Sequence, residues 1–357
     1  MSQTTHKSMR WNSLDCLKGI ACIAVVLIHY NISGGNMPAW IGTYTKALCR
    51  FAVPVFLCIS GFFFVGSEYS AEKTLNKLKH ILKLLVGASV FYAVFTVAWN
   101  TIMYGRTWDM VAYVSETITG DAIVKLFLTH DPLVYSHMWY LIAASWCYGL
   151  MLLLYKHKRR KLIYLLAPVL LACYACMQEF HVLTTSVAIT GMDARVYLFN
   201  SFLFRALPFF IFGMIFREYQ QKMERLPLNT LALCILVAVG LGMEVLERRQ
   251  YGDCQFYLGS YLIVFALMVF AIKHPQARWR PLMHVGRDLS MYVYILHIAV
   301  GKTVDVIAKY ARWWGKDLYY ISRPVMILVG TLIISELLCQ VKESMVQIRN
   351  RVKKQEV

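Results

Sequence analysis

Three ionisable side chains stand in an otherwise apolar segment near the start of the chain, LDCLKGIACIAVVLIHY at positions 14–30. They are Asp15, Lys18 and His29. Lys18 and His29 are eleven residues apart, so in a helix both project from one face, roughly 16 Å apart along the axis. A lysine ammonium can hold an anionic molecule, and a neutral imidazole can accept a proton. The spacing therefore predicts a polar helix face with an anion-binding group near one end and a base near the other.

Each of these residues also has a structural explanation. The Lys18 ammonium could extend to lipid headgroups, and His29 could hydrogen-bond a neighbouring helix. Asp15 shares their face, whereas the opposite face consists of isoleucine and valine. We therefore expect one side of this helix to line a polar interior and the other to contact lipid. Ionisable groups that share one face inside a membrane favour the functional interpretation.

The composition places this helix in a membrane. Of the 357 residues, 58% are hydrophobic and 16% are charged, whereas soluble domains carry about a quarter charged residues. The mean hydropathy is +0.50. There is too little polar sequence to cover a soluble core. Because backbone in lipid must satisfy its own hydrogen bonds, an all-α integral membrane protein is predicted.

Long apolar runs predict about ten transmembrane helices. Their approximate positions are 12–33, 47–66, 81–104, 138–155, 162–180, 199–216, 228–246, 255–273, 287–306 and 324–343. Loops on one side hold most of the 37 lysines and arginines, including the run KHKRRK at 156–161. By the positive-inside rule this side is cytoplasmic, and an even number of spans places both termini there.

Orientation and anionic headgroups explain the net charge of +17 without a nucleic-acid partner. We expect a cytoplasmic tail over 1–11, a single transmembrane domain over 12–343 and a basic cytoplasmic tail over 344–357. The ten cysteines lie mostly in apolar runs, and neither a phosphate-binding glycine loop nor a metal-ligand cluster is present. Glu336 lies within a predicted span and needs a partner, whereas Glu244 and Glu247 are expected to form a solvated helix end.

Five segments together resemble the membrane acyltransferase family 3. In the first helix, Lys18 and His29 occupy the positions of that family's basic residue and histidine, and Leu-Asp precedes them. The second motif is an arginine, then Val-Pro, then an aromatic run that includes Ser-Gly-Phe. The segments similar to this and later motifs are RFAVPVFLCISGFFF (50–64), HMWYL (137–141), RALPFFIFGM (205–214) and SMYVYILH (290–297).

The resemblance implies an enzyme that moves an acyl group, usually acetyl, from cytosolic acyl-CoA to a hydroxyl group. The acceptors in this family are polysaccharides or lipid-linked sugars at the bacterial inner membrane. His29 would act as the base or take the acyl group transiently, and Arg50 would stabilise the oxyanion. Supporting residues are expected at Asp15, Ser60, His137, Trp139, Arg205 and His297.

The donor is expected to bind through basic residues on the cytoplasmic side. Lys18 is one, and Lys77, Lys79 and His80 lie just before the third predicted span. The family often carries two arginines at this place, where Lys77 and His80 stand here. Lysine lacks the planar bidentate fork of arginine, so the phosphate contacts differ. The expected donor is acetyl-CoA or another acyl-CoA, and no metal is implied.

Alternatives remain at this stage. The same polar face could line the path of a small-solute transporter or uptake domain, or the chain could be a membrane scaffold for glycan synthesis. The expected partners are acyl-CoA, a glycan or lipid-linked sugar, and membrane lipids, and the location is the bacterial inner (cytoplasmic) membrane, crossed several times. The sequence leaves open the acceptor, the acyl group, the leaflet and whether the chain forms a homo-oligomer.

Overall fold

The fold comes from a computed structural model of the chain. It describes residues 10–65, 70–130, 132–133, 135–156, 160–179, 188–189, 192–193 and 201–355. The predicted tail over 1–11 therefore lies almost entirely outside the described residues.

The regular secondary structure of the described residues is helical apart from one pair of short antiparallel strands, which agrees with the predicted all-α class. The α-helices are α1 Asn12–His29, α2 Ala39–Leu48, α3 Ala52–Val65, α4 Ala71–Tyr104, α5 Met110–Thr117, α6 Gly120–Leu128, α7 Trp139–Lys156, α8 Arg160–Glu179, α9 Phe202–Arg205, α10 Leu207–Glu218, α11 Gln220–Glu224, α12 Thr230–Tyr251, α13 Leu258–Lys273, α14 Arg280–His284, α15 Ser290–Tyr310 and α16 Asp317–Gln355. The strands are β1 Ala188–Ile189 and β2 Met192–Asp193. Short 3₁₀ turns occupy Gly105–Thr107 and Ser136–Met138, and a π-helical segment occupies Val285–Leu289.

Seven stretches of the described chain are long and apolar enough to cross a membrane. They are Asn12–His29, Ala39–Val65, Ala71–Tyr104, Ser136–Leu154, Thr230–Tyr251, Arg280–Tyr310 and Asp317–Arg351. Leu162–Tyr174 and Leu258–Lys273 are shorter apolar helices, and the predicted span over 199–216 is interrupted at Ala206 between α9 and α10. A multi-pass membrane protein is therefore supported, while ten spans and two cytoplasmic termini stay predictions.

Two compact units are distinguished by their internal contacts. The first, called unit 1, comprises Met1–Val55, Gln220–Val245 and Gly259–Val357. The second, unit 2, comprises Phe56–Tyr219 and Leu246–Leu258.

In unit 1, helix α1 is enclosed by other helices. It packs against α2, α14, the π-helical segment, α15 and α16. Val25 is 4% exposed and Val26 is fully buried, although Ile20 is exposed. The prediction that the isoleucine and valine face of α1 contacts lipid is therefore wrong for Val25 and Val26, which protein helices cover. Ile23 and Ile28 are half-buried, whereas Ile20 is exposed.

Two glycines allow the backbone of α1 to approach α14 and the π-helical segment closely. A Cβ on Gly286 of the π-helical segment would overlap the Asp15 carbonyl oxygen, and a Cβ on Gly19 would overlap that of Leu282. Small residues allow helix backbones to approach in this way, which is the usual device for helix packing in membranes. The crossing lies at the α1 end that carries Asp15 and Lys18.

A similar crossing organises unit 2. A Cβ on Gly61 of α3 would overlap the Phe210 carbonyl oxygen, and a Cβ on Gly213 of α10 would overlap that of Cys58. These glycines belong to the ISGFFF and PFFIFGM segments, so both segments serve helix contact here. Elsewhere in unit 2, α4 packs on α7 and α8 packs on α10.

The region after α4 and the C-terminal region are also helical. Helices α5 and α6 are capped by the side chains of Asp109 and Thr119, which accept hydrogen bonds from backbone amides of their first turns. Helix α16 continues to Gln355, so the predicted basic tail over 344–357 is helical as far as that residue.

Candidate active site

The centre of the candidate site is a pair of histidines in unit 1. The ring centroids of His29 and His297 lie 5.2 Å apart with the planes inclined by 46°. His297 is fully buried on α15, and its Nδ1 lies 3.0 Å from the Val293 carbonyl oxygen. A carbonyl can only accept, so in the neutral ring this nitrogen carries the proton. The pair joins the predicted base to a predicted supporting residue.

His29 ends α1, and its side chain is exposed. An exposed imidazole can meet a bound molecule, whereas a fully buried group cannot.

Two cations act on His29. The charges of Arg50 and Lys46 both reach its imidazole. Arg50 lies in the turn between α2 and α3 and is 9% exposed, so it is largely withdrawn from solvent. A fixed positive charge in such surroundings can stabilise a developing negative charge more strongly than it could in water.

Lys18 lies at the other end of α1, with its Nζ 3.0 Å from Asp15 Oδ1. The side chains of Lys18 and Asp15 are 24% and 13% exposed. Because α1 is an uninterrupted helix from Asn12 to His29, Lys18 and His29 project from the same face, as their spacing predicted.

Near this end of α1, Glu336 has the partner that the sequence alone did not identify. His284 of α14 places Nε2 at 2.7 Å from Glu336 Oε2 and Nδ1 at 2.7 Å from Asp288 Oδ2. Arg287 also binds Asp288, and the charge of Asp15 reaches Arg287. These groups form a charged cluster around the π-helical segment.

The expectation that Glu244 and Glu247 form a solvated helix end is wrong. Glu244 is fully buried, and its Oε1 accepts a hydrogen bond from the Ser260 hydroxyl at 2.5 Å. Glu247 is 8% exposed and accepts a hydrogen bond from the Leu258 amide at 2.6 Å. Their charged neighbours Arg248 and Arg249 made the end of α12 look polar. The signal that could have identified Glu244 is its place inside the apolar run ALCILVAVGLGMEVL.

Glu244 belongs to the surroundings of Arg50 in unit 1. The charges of both residues act on the thiol of Cys49, which is 8% exposed. A buried carboxylate and a buried guanidinium therefore share one neighbourhood next to the histidine pair.

Three further predicted site residues lie in unit 2. The Arg205 guanidinium stacks 4.0 Å above the Trp139 ring, and its Nη2 donates to Gln255 Oε1 at 3.0 Å. Arg205 is 4% exposed. Its hydrogen-bond partner is thus an amide. His137 is also buried and packs at 5.0 Å from the Tyr92 ring.

Ser60 has bonds that fit a structural role. Its hydroxyl donates to the Phe56 carbonyl oxygen at 2.8 Å, one turn earlier in the chain, and hydrogen-bonds the Tyr140 hydroxyl.

His130 was not singled out from the sequence. It is 1% exposed, and its Nδ1 accepts from the Phe202 amide at 3.1 Å.

The predicted donor-binding residues of α4 are exposed. Lys77, Lys79 and His80 all lie on its solvent-accessible surface in unit 2. The structure thus groups the predicted site residues into two sets. Unit 1 holds Asp15, Lys18, His29, Arg50 and His297, and unit 2 holds Ser60, Lys77, Lys79, His80, His137, Trp139 and Arg205. Within the described residues, no group of three or more histidine, cysteine, aspartate or glutamate side chains could hold a metal ion.

Comparison with known families identifies the class. The model of an acyltransferase domain, acyltransferase family 3, matches residues 11–339. This chain belongs to that family.

A curated relative is also similar, at greater distance. A protein named amino-acid racemase from Enterococcus faecalis is 23% identical over 360 residues, which cover 98% of this chain and 48% of the relative. The chain thus spans about half the length of the curated relative it matches. No solved structure matches this chain.

Proposed function

We propose that this protein transfers an acyl group, by default acetyl, from cytosolic acyl-CoA to a hydroxyl of a cell-envelope polysaccharide or lipid-linked sugar. The observation that carries this proposal is the accessible ring of His29, paired with His297 and reached by the charges of Arg50 and Lys46. An accessible base with positive charges near it suits acyl transfer to a hydroxyl.

The reaction has a simple balance of bonds and protons. The His29 imidazole takes the proton of the acceptor hydroxyl while the oxygen attacks the thioester carbonyl carbon. Arg50 supplies positive charge for the oxyanion that forms. The carbon–sulfur bond then breaks, and the CoA thiolate receives the proton from the His29 imidazolium. In the alternative route His29 carries the acyl group itself between donor and acceptor.

The donor is polyanionic and needs cations. Lys18 stands at the opposite end of the α1 face from His29, and Asp15 orients its ammonium. Lys77, Lys79 and His80 form an exposed basic stretch on α4 that suits phosphate groups. The basic loops support a cytoplasmic location for these donor-binding cations in a bacterial inner membrane.

The decisive experiment is acyl transfer in membranes that contain the protein. Membranes supplied with isotopically labelled acetyl-CoA or succinyl-CoA should release CoA and label an envelope glycan, which mass spectrometry identifies. His29→Ala should reduce transfer at least about 100-fold at a normal protein amount, while the control His274→Ala, at an exposed position, keeps the wild-type rate.

Two results would contradict the proposal. Wild-type rates in His29→Ala would remove this residue from the mechanism. Uptake of a labelled solute by the wild type without consumption of acyl-CoA would instead support the small-solute transporter.

A further inference from the structure

The geometry points to Tyr30 as the positioning residue of the histidine pair, held in place by Arg323 and Asp305. This inference rests on the proposed function for its kinetic consequence, because it concerns how His29 is oriented for the reaction. All the contacts that carry it lie in unit 1.

Tyr30 links the two helices that supply the histidines. It directly follows His29 at the end of α1, and its hydroxyl donates to the carbonyl oxygen of Ile298 at 3.0 Å. Ile298 directly follows His297 on α15. The hydrogen bond therefore joins the side chain of the residue after His29 to the backbone of the residue after His297, and it restricts the separation of the two helices that carry the rings.

The Tyr30 ring occupies a notch on α15, the space where Gly301 has no side chain. Tyr30 is 6% exposed, and a Cβ on Gly301 of α15 would overlap its ring and hydroxyl. Gly301 is one helical turn beyond His297, so the notch and the histidine belong to neighbouring turns. Any larger residue at position 301 would push the Tyr30 ring away, and the end of α1 would move with it.

A charged pair also contacts the Tyr30 ring. The Arg323 guanidinium lies 4.9 Å from the Tyr30 ring centroid. Its Nε and Nη2 donate to the two carboxylate oxygens of Asp305 at 2.8 and 2.7 Å. The Tyr319 hydroxyl also donates to Asp305. Two parallel hydrogen bonds fix the plane of the guanidinium, so the Tyr30 ring contacts a rigidly held cation in addition to the α15 backbone at Gly301.

The chain after Tyr30 is fastened in the same region. Gly34 and Gly35 have φ values of +113° and +60° and lie against the Tyr320 ring. Asn36 donates its backbone N–H to Asp317 Oδ1 at 2.9 Å. The end of α1 thus continues into a segment with its own bonds to α16, and the Tyr30 hydrogen bond is a separate contact beside the histidine pair.

The network does not contain the reacting groups. Tyr30, Arg323, Asp305 and Gly301 act on His29 and His297 through the backbone. A displacement of about 1 Å of a catalytic group can cost about 100-fold in rate, so loss of one positioning contact should reduce turnover and leave donor binding unchanged.

The test uses Tyr30→Phe, which keeps the ring in the notch and removes the hydroxyl. The matched control is Tyr44→Phe on α2. With wild-type membranes as the reference, Tyr30→Phe should lower kcat about tenfold and leave the donor KM within about twofold. Gly301→Ala should lower kcat further, whereas Gly330→Ala on α16, where a Cβ would make an ordinary 3.4 Å contact with Val300, should not change it.

Arg323 provides a conservative comparison. Arg323→Lys keeps a positive charge above the ring but loses the two-bond fork with Asp305. It should retain more activity than Arg323→Gln. Equal kcat values for the two variants, both at the wild-type level, would overturn the part assigned to Arg323.

A second measurement does not depend on acyl transfer. Diethylpyrocarbonate modifies accessible imidazoles, and mass spectrometry of the peptides gives the rate at each histidine in the intact protein. Tyr30→Phe should raise the rate at His29 by about threefold relative to His274, because the ring is less constrained. An unchanged His29 rate together with an unchanged kcat would overturn the inference. If the wild type transfers no acyl group, the proposed function fails, while the modification rates still decide whether Tyr30 positions His29.

Discussion

The imidazoles of His29 and His297 face each other at 5.2 Å, although they come from the first helix and from one of the last. One ring is accessible and the other is fully buried. The buried ring is tied to the Val293 carbonyl oxygen, so it can keep the accessible ring in a defined orientation. From this relationship we predict that His297 is a functional partner of the predicted base.

His297→Ala should therefore reduce acyl transfer about tenfold to 100-fold, which is less than the effect of His29→Ala. The physical reason is that the variant loses the ring against which His29 is oriented and leaves His29 itself intact. Initial rates with labelled acetyl-CoA measure the effect, with His274→Ala as the control. A His297→Ala enzyme at the wild-type rate would show that the pair has no mechanistic importance.

Glu244 should matter both for folding and for the site. Glu244→Ala removes the acceptor of the Ser260 hydroxyl and opens a space in a fully buried place. We expect a loss of stability of about 2–4 kcal/mol, measured as a lower unfolding temperature in mild detergent. Glu343→Ala is the control, since Glu343 is exposed on α16.

Glu244→Gln separates the charge from the hydrogen bond. The amide oxygen can still accept from Ser260, but the negative charge near Arg50 is gone. Transfer should fall about tenfold with little change in unfolding temperature. Full activity in this variant would mean that the carboxylate charge does not orient Arg50.

The glycine crossing of unit 2 predicts a strong steric effect. Gly61→Ala or Gly213→Ala would force a Cβ into a carbonyl group of the facing helix. Because backbone cannot yield as a flexible side chain can, either variant should lower the yield of folded protein several-fold. Gly149→Ala on α7 is the control, since nothing lies within 4 Å of its added Cβ. Equal yields of all three variants in size-exclusion chromatography would contradict this account of the crossing.

Lys18 should affect the donor more than the acceptor. Lys18→Ala removes the cation that Asp15 orients, and we expect the apparent KM for acyl-CoA to rise about tenfold, the equivalent of one lost charge contact. The rise should shrink at high salt, because ions screen the remaining contacts. Lys309→Ala, at an exposed position on α15, is the control. A donor KM unchanged by Lys18→Ala would exclude this lysine from donor binding.

Much of the architecture follows from the sequence alone. The excess of apolar residues over charged ones is enough to predict membrane helices, because backbone in lipid has few other ways to satisfy its hydrogen bonds. The shared face of Lys18 and His29 also follows, since it depends only on helix geometry over eleven residues. The family motifs at 50–64 and 205–214 could be recognised in the same way, but their use in one glycine crossing could not.

What the tertiary structure decided concerns residues that are distant in sequence. Helical periodicity says which face a residue occupies and nothing about which helix covers that face. For this reason only the structure shows that Val25 and Val26 are buried, that Glu244 is buried and bonded to Ser260, and that Glu336 contacts His284. The packing of α1 on α15 likewise brings His29 to His297 and the Tyr30 hydroxyl to Ile298. Such long-range contacts depend on how helices cross, and the pattern of residue types along one chain does not record that crossing.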